Sequence, residues 1–245
     1  MTQATEARHT NEDAAPEVSR EPAALSARFA GYATDYMQKY VFAIPRMAEL
    51  HTGKWTHPGF YRRHMIEAIL RIRLNNEADS YCLFKISKTD LVLAQKLAKY
   101  LEEEFGHENM FVTDLKAMGL TEEDINRTEP LFATHLLIGF LRLSTDIDGP
   151  MATMIWNWFV EWYSVTYNAI ITEKAQEVVG EKATRGTKAH INLDGNYDHV
   201  SLMFSTVERV IKTPADELRA REYLRRFVIL VAQYYDELAT TTLVD

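Results

Sequence analysis

Two segments of this sequence place a carboxylate and an imidazole about one helical turn apart, where they can bind one metal ion together, and a third segment carries a single carboxylate among apolar residues. In the segment LEEEFGHEN, Glu104 falls inside an apolar stripe and His107 lies at the edge of that stripe, one turn further on. The alternative is that Glu104, His107 and Glu108 belong to an ordinary exposed acidic run. Glu108 also falls inside the apolar arc, whereas Glu102 and Glu103 are predicted to point away from it.

Glu161 is the only charged residue between Met151 and Thr172. A helix that is apolar on nearly all faces is either central to a bundle or crosses a membrane. A carboxylate buried there must be protonated, paired with a cation or bound to a metal. The bundle is favoured because Asn157 and Asn168 accompany the glutamate and no basic flank orients a membrane span.

His190 and Asp194 lie four residues apart in the segment HINLD, on one strip of a predicted helix. They can bind one ion together, or they can be a stabilising pair across a helical turn. The three segments together supply Glu plus His, Glu, and His plus Asp from three helices. Such hard oxygens and imidazoles are the ligands that a two-iron carboxylate site in a helical bundle needs.

The order and spacing of the EEFGHENMF segment, Glu161 and the HINLD segment resemble the ligand layout of the heme-oxygenase-like diiron oxidases and oxygenases. That family belongs to a seven-helix superfamily with heme oxygenase, thiaminase II and pyrroloquinoline quinone synthase. The resemblance extends from about Tyr36 to Leu238. It implies two Fe(II) ions, with a firmer first site on Glu104, His107 and Glu161 and a second on His190 and Asp194.

One position departs from the family pattern, which has a second histidine three residues after the aspartate. This sequence has Tyr197 there, and His199 is two residues further, where a regular helix would direct it to the opposite side. A distortion at Gly195 would bring His199 round, and Tyr197 itself, Asp198 or Glu108 are other candidates for the ligand. Without such a ligand, the second iron is weak or absent.

The resemblance implies an enzyme, a non-haem diiron oxidoreductase that uses O2 as co-substrate in a biosynthetic reaction of specialised metabolism. The favoured substrate is an amino acid or derivative, altered by N-oxygenation or oxidative carbon–carbon cleavage. Phe140, Trp158 and Trp162 would line its pocket, and Arg71 or Arg142 would bind a carboxylate. The alternatives are a metal-independent enzyme of the thiaminase II or quinone-synthase kind and a non-catalytic helical ligand-binding protein.

The elements that position these groups are predicted to be helices, because no segment alternates apolar and polar residues long enough to form a sheet. Residues 25–245 are predicted to form one all-α domain of about seven helices, a compact heme-oxygenase-like bundle, after a disordered tail over residues 1–24. Capping boxes begin at Ser87 and Thr121, and Thr213 caps the last helix. The predicted helices cover about 25–50, 58–74, 87–118, 130–143, 150–179, 183–211 and 214–238.

Composition narrows the possible partners and compartment. A formal charge of −8 argues against nucleic-acid binding, which requires clustered Lys and Arg. The single cysteine, Cys82, cannot form an internal disulfide and favours the reducing cytoplasm. We expect a cytoplasmic protein that acts on a small molecule, has no membrane contact and forms a homodimer, with an external electron donor that the sequence does not identify.

Overall fold

The computed structural model describes residues 24–243, except for the side chains of residues 193–197. Over this range the chain forms twelve α-helices and no strand. The α-helices are α1 (Leu25–Tyr36), α2 (Met47–His51), α3 (Pro58–Ile86), α4 (Leu91–Glu104), α5 (Glu108–Ala117), α6 (Glu122–Asn126), α7 (Phe132–Asp148), α8 (Met151–Tyr163), α9 (Ala169–Val179), α10 (Arg185–Tyr197), α11 (His199–Val210) and α12 (Pro214–Thr242). One π-helical turn, Met37–Val41, follows α1, and another, Ser164–Asn168, joins α8 to α9. A 3-10 turn, Glu181–Thr184, precedes α10.

The all-α prediction is confirmed, but the predicted number of helices is too low. The helix predicted over 87–118 is two helices, because Phe105 is extended with ψ of 116° and Gly106 has φ of +95°. The helix predicted over 183–211 is also interrupted, because Asp198 adopts the left-handed conformation with φ of 48°. In the other direction, the helix predicted to end at Leu74 continues to Ile86.

Polar caps define where several helices begin. Thr121 and Thr213 each form the predicted capping box at the starts of α6 and α12. At the start of α4 the cap is Asp90 rather than Ser87. Arg209 on α11 donates to the same carboxylate of Asp90 at 2.8 Å, so this cap also joins α4 to α11.

Helix α8 lies at the centre of the bundle and packs against α7, α11 and α12. Every residue from Met151 to Phe159 is buried. The ring of Trp158 meets Phe29 edge-on at 5.8 Å and Phe204 at 5.6 Å. None of the described helices combines the length and hydropathy that a membrane span requires.

Candidate metal centre

The corner between α4 and α5 brings the first carboxylate and imidazole together. Glu104 is the last residue of α4 and is buried, and His107 immediately precedes α5. The left-handed Gly106 turns the chain between them, a conformation that glycine adopts without steric cost. Nδ1 of His107 therefore lies 3.2 Å from Oε1 of Glu104. The predicted continuous helix is wrong here, and the Phe105 side chain at the break is 61% exposed.

Glu161 projects from the central helix α8 and is buried, with 5% of its surface exposed. The hydroxyl of Tyr100, on α4, donates a hydrogen bond to Oε1 of Glu161 at 2.7 Å. Burial, and next the negative charge of Glu161, raise the pKa of Tyr100 well above its usual range. The tyrosine therefore stays protonated and acts as a donor that holds the carboxylate in place.

A close contact between helices positions α10. A Cβ atom added to Gly186 would lie 1.9 Å from the carbonyl oxygen of Met110 on α5, so only glycine allows this approach. The buried carboxylate of Asp114 accepts hydrogen bonds from the backbone N–H groups of Gly186 at 2.6 Å and Thr187 at 2.7 Å. These contacts fix the first turn of α10 against α5.

The fixed orientation of α10 directs His190 into the site. The ring centroid of His190 lies 5.0 Å from that of His107, which precedes α5, and 4.9 Å from that of Phe111, which lies in the first turn of α5. The second imidazole thus comes to the corner where Glu104 and His107 already lie.

His199 reaches the same site because the chain departs from helical geometry at Asp198. Helix α10 ends at Tyr197, and α11 begins at His199. His199 is 1% exposed, and its Nδ1 atom lies 3.6 Å from Oε1 of Glu104 and 3.5 Å from Oε2 of Glu161. The expectation of a regular helix that directs His199 away is therefore wrong.

Glu103 holds the opposite side of the His199 ring. Its Oε2 atom lies 2.9 Å from Nε2 of His199. Since a carboxylate only accepts, Nε2 carries the proton, and in the neutral ring the lone pair is on Nδ1. The prediction that Glu103 points away from the site is wrong, whereas Glu102 is exposed.

Two groups of donor atoms result, and Glu104 belongs to both. The donor atoms of Glu104, His107 and His190 lie within 4.8 Å of one another, and so do those of Glu104, Glu161 and His199. The sequence analysis grouped Glu161 with Glu104 and His107 in the first iron site. In the structure Glu161 is grouped with Glu104 and His199 instead. A shared buried carboxylate flanked by imidazoles matches the donor chemistry of a pair of iron ions.

A cavity of about 160 Å³ adjoins both groups and is lined by Glu104, Glu161 and His190. The aromatic part of its lining is Tyr61, Tyr100, Phe111, Trp156, Phe159, Tyr163, Tyr234 and Tyr235. Phe140, Trp158 and Trp162, the predicted pocket residues, are not among the described lining residues. Trp158 is core, and the ring of Phe140 packs 5.5 Å from that of Phe227.

Two buried histidines each form a hydrogen bond with a tyrosine of the cavity wall. His64 itself lines the cavity, and His51 lies behind the wall. Nδ1 of His64 lies 2.6 Å from the hydroxyl of Tyr234, and Nε2 of His51 lies 2.7 Å from that of Tyr163. Tyr163 in turn shares a hydrogen bond with Tyr235. Burial lowers the pKa of His64 to about 3, with a further contribution from Arg71, and that of His51 to about 4.

The sequence over residues 69–232 matches the family described as iron-containing redox enzymes. The chain belongs to this family. Comparison with curated proteins gives no match. The membership agrees with the donor set assembled from α4, α5, α8, α10 and α11, because the matched region contains all of these helices.

Several solved structures share the fold of this chain at low sequence identity. A domain of unknown function with a heme oxygenase-like fold from Shewanella denitrificans is 21% identical, with a TM-score of 0.71 over 89% of this chain and 91% of that chain. A TenA homologue from Pseudomonas syringae pv. tomato is 15% identical, with a TM-score of 0.70 over 95% and 100%. A CADD-like protein of unknown function from Nostoc punctiforme is 15% identical, with a TM-score of 0.67 over 89% and 100%. The heme-oxygenase-like fold is thereby confirmed.

Four residues predicted as second-site or additional ligands belong to neither donor group of this family member. The side chains of Asp194 and Tyr197 are outside the described residues. Glu108 belongs to neither donor group, and its Oε1 atom lies 3.7 Å from Arg73. Asp198 instead accepts from the backbone N–H of Ser201 at 3.2 Å and caps α11.

Sequence reasoning missed the residues that support the donor groups. Tyr100 and Asp114 had no visible signal, because their partners are 61 and 72–73 residues away along the chain. His64 did carry a sequence signal. It begins a series on α3 with steps of four, three and four residues, which places its members on one face of the helix. All members of the series line the cavity: His64, Ala68, Arg71 and Asn75.

Proposed function

We propose that this protein is a non-haem diiron oxidase or oxygenase that binds two Fe(II) ions and uses O2 as co-substrate to oxidise a small organic molecule. The observation that carries the proposal is the position of Glu104, which belongs to both donor groups. Membership of the iron-containing redox enzyme family supports iron as the metal.

In this proposal Glu104, His107 and His190 hold one iron, with Asp194 as a further ligand, and Glu104, Glu161 and His199 hold the other. The bound irons would supply the electrons for dioxygen activation, which protein side chains alone do not provide. The protein residues orient the ligands. Tyr100 fixes Glu161, and Glu103 fixes the ring of His199 so that Nδ1 points to the two acids.

The electrostatics of the site support bound cations. Glu104 and Glu161 are both buried, and each has a carboxylate oxygen within 3.6 Å of Nδ1 of His199. Two buried carboxylates beside one imidazole repel each other and lose hydration, at a cost of several kcal/mol for each ion. Two divalent cations would offset both penalties.

The cavity supports a small substrate, for which we favour an amino acid or derivative. Its volume of about 160 Å³ is close to the roughly 150 Å³ of a cavity that accommodates a benzene ring. Its wall combines aromatic rings with the polar groups of Asn75, Asn76 and Thr134. Such a molecule would undergo N-oxygenation or oxidative carbon–carbon cleavage in a biosynthetic reaction, in the cytoplasm, where Cys82 stays reduced.

A metal-independent enzyme is the second candidate, because TenA homologues from Pseudomonas syringae and Pyrococcus furiosus share the fold. In that case the same acids and histidines would transfer protons without iron. The buried acids would then need protons, rather than metal ions, to offset their burial.

Iron uptake separates the two candidates. Full-length protein is reconstituted anaerobically with Fe(II), and bound iron per chain is measured, followed by O2 consumption after mixing with oxygenated buffer. We expect two irons per chain, none in Glu104→Ala, and about half the wild-type content in Glu161→Ala and in His199→Ala.

Matched controls test the assignment of ligands. Glu108→Gln and Tyr197→Phe should retain the wild-type iron content, because neither residue is needed in the two donor groups. Loss of one iron in Tyr197→Phe would instead identify the tyrosine as the ligand. A wild-type protein that takes up no iron under these conditions would eliminate the diiron proposal and favour the metal-independent enzyme.

A further inference from the structure

Arg71 is the only lysine or arginine among the described residues that line the cavity. Its side chain is partly buried on α3, and its guanidinium lies 5.1 Å from the centroid of the Tyr234 ring. The second arginine considered from the sequence, Arg142, is exposed and lies over Tyr81 at 5.4 Å, in a separate surface groove. The structure therefore distinguishes two arginines that the sequence did not.

No acid among residues 24–243 with described side chains forms an ion pair with Arg71. Glu67, one turn earlier on α3, is the obvious candidate, but it is used elsewhere. It lies 2.6 Å from Arg63, accepts from Thr134 at 2.6 Å, and accepts from the backbone of Leu131 at 3.0 Å. Arg71 thus carries a permanent positive charge into the cavity, and no carboxylate among the described side chains forms an ion pair with it.

The neighbours of Arg71 cannot replace such a carboxylate. Burial raises the pKa of Tyr235 to about 12, and burial likewise holds the pKa of Tyr234 far above its usual range, so both stay neutral. His64 is neutral as well, because burial and the charge of Arg71 lower its pKa. A cation that is always charged, partly desolvated and adjacent to the neutral Tyr234, Tyr235 and His64 favours an anion. The planar guanidinium matches a carboxylate with two parallel hydrogen bonds.

We propose that Arg71 binds the carboxylate of the substrate, and that the substrate is a small monocarboxylic acid with an apolar or aromatic body. The body fits the aliphatic and aromatic wall formed by Ala68, Ile72, Phe111 and Phe159. The inference deepens the proposed function and rests on it for the claim that the bound acid is the molecule oxidised. Arg71 is then the residue that determines specificity for a carboxylate over a neutral analogue.

Binding of two probes of nearly equal shape tests the charge. Phenylacetate and phenylacetamide are titrated into full-length protein, both metal-free and anaerobically loaded with Fe(II), and followed by calorimetry. Wild type should bind phenylacetate at least about tenfold more tightly than phenylacetamide in both forms. Arg71→Gln should lose roughly 10- to 100-fold in affinity for phenylacetate, as expected for a charged hydrogen-bonded contact, and keep its affinity for phenylacetamide.

Two further variants keep the test decisive. Arg71→Lys retains the charge without the planar fork and should show an intermediate loss, which also guards against a folding defect in the glutamine variant. Arg142→Gln, with an exposed arginine outside the cavity, should bind both probes as wild type does. Circular dichroism and iron content should match wild type in all three variants.

The outcomes separate this inference from the proposed function. Equal binding of the two probes by wild type, or no binding of phenylacetate, would overturn the role of Arg71. Phenylacetate binding that requires iron and is unchanged in Arg71→Gln would show that the carboxylate binds the metal, and would also overturn it. A loss of phenylacetate binding in Arg71→Gln, in a protein that takes up no iron, would support the carboxylate site and reject the diiron function.

Discussion

Nδ1 of His199 lies 3.6 Å from Oε1 of Glu104, although the two residues belong to different helices and are 95 positions apart in the chain. The contact exists because Asp198 is left-handed, which ends α10 and restarts the chain as α11. A change of one backbone conformation therefore determines whether the fifth donor residue of the two groups reaches the candidate metal centre.

Substitutions at Asp198 should separate backbone conformation from side-chain chemistry. Asp198→Val places a β-branched residue at φ of 48°, which is strained by about 1–3 kcal/mol and should turn His199 away from Glu104. Iron content should fall to about one per chain. Asp198→Gly adopts the same φ without strain and should retain both irons, at a stability within about 0.5 kcal/mol of wild type. Equal iron content in the two variants would contradict this explanation.

Removal of Glu103 should weaken the second iron without removing a ligand. Glu103→Ala removes the acceptor for the Nε2–H of His199, so that the ring can rotate or change tautomer. Loss of such a supporting contact lowers metal affinity by roughly 10- to 100-fold. The affinity of the variant for Fe(II) is measured by competition with a chelator under anaerobic conditions. Glu102→Ala is the matched control, since Glu102 is adjacent and exposed, and a similar loss there would argue against a specific role.

Gly186 should tolerate no side chain. In Gly186→Ala the new Cβ would lie 1.9 Å from a backbone oxygen of α5, so α10 must shift and carry His190 with it. We expect unfolding free energy to fall by about 1–3 kcal/mol, with a lower melting temperature and reduced iron uptake.

Gly139 on α7 is the control for Gly186. A Cβ at Gly139 meets nothing within 4 Å among the described atoms, and its φ is not positive. Gly139→Ala should therefore stabilise the protein by about 0.5–1 kcal/mol, through reduced backbone entropy in the unfolded chain. Equal melting temperatures for the two alanine variants would show that the contact between α5 and α10 does not restrict residue 186.

Asp79 should make the metal-free protein less stable in alkaline solution. It is fully buried on α3, and burial raises its pKa from 3.8 to about 8. The folded state therefore holds a proton that the unfolded state releases. This contribution is complete below pH 3.8, and it is lost as the pH rises towards about 8.

Chemical unfolding of the metal-free protein between about pH 5 and pH 9 tests the titration of Asp79. Asp79→Asn keeps an acceptor for the amides of Asn75 and Asn157 and should show a shallower decline of stability with pH. Glu77→Gln, an exposed neighbour on α3, should decline as wild type does. An unchanged slope in the asparagine variant would assign the decline to other groups.

Much of the fold was readable from local patterns. Apolar periodicity identified an all-α chain, and hydroxyl caps at Thr121 and Thr213 identified helix starts, because both depend on residues within one or two turns. The same patterns marked Glu104 and Glu161 as acids on apolar faces, and His107 and His190 as imidazoles beside such faces. These signals are local, so a sequence contains them directly.

The composition of the two donor groups depended on distant contacts. His199 required a left-handed residue that helical periodicity does not predict, and Glu103 reaches His199 because α11 packs against α4. The choice of Arg71 over Arg142 required knowledge of which one lines the cavity. A helical pattern specifies the face on which a residue lies, but packing between helices and two left-handed residues determine which faces meet.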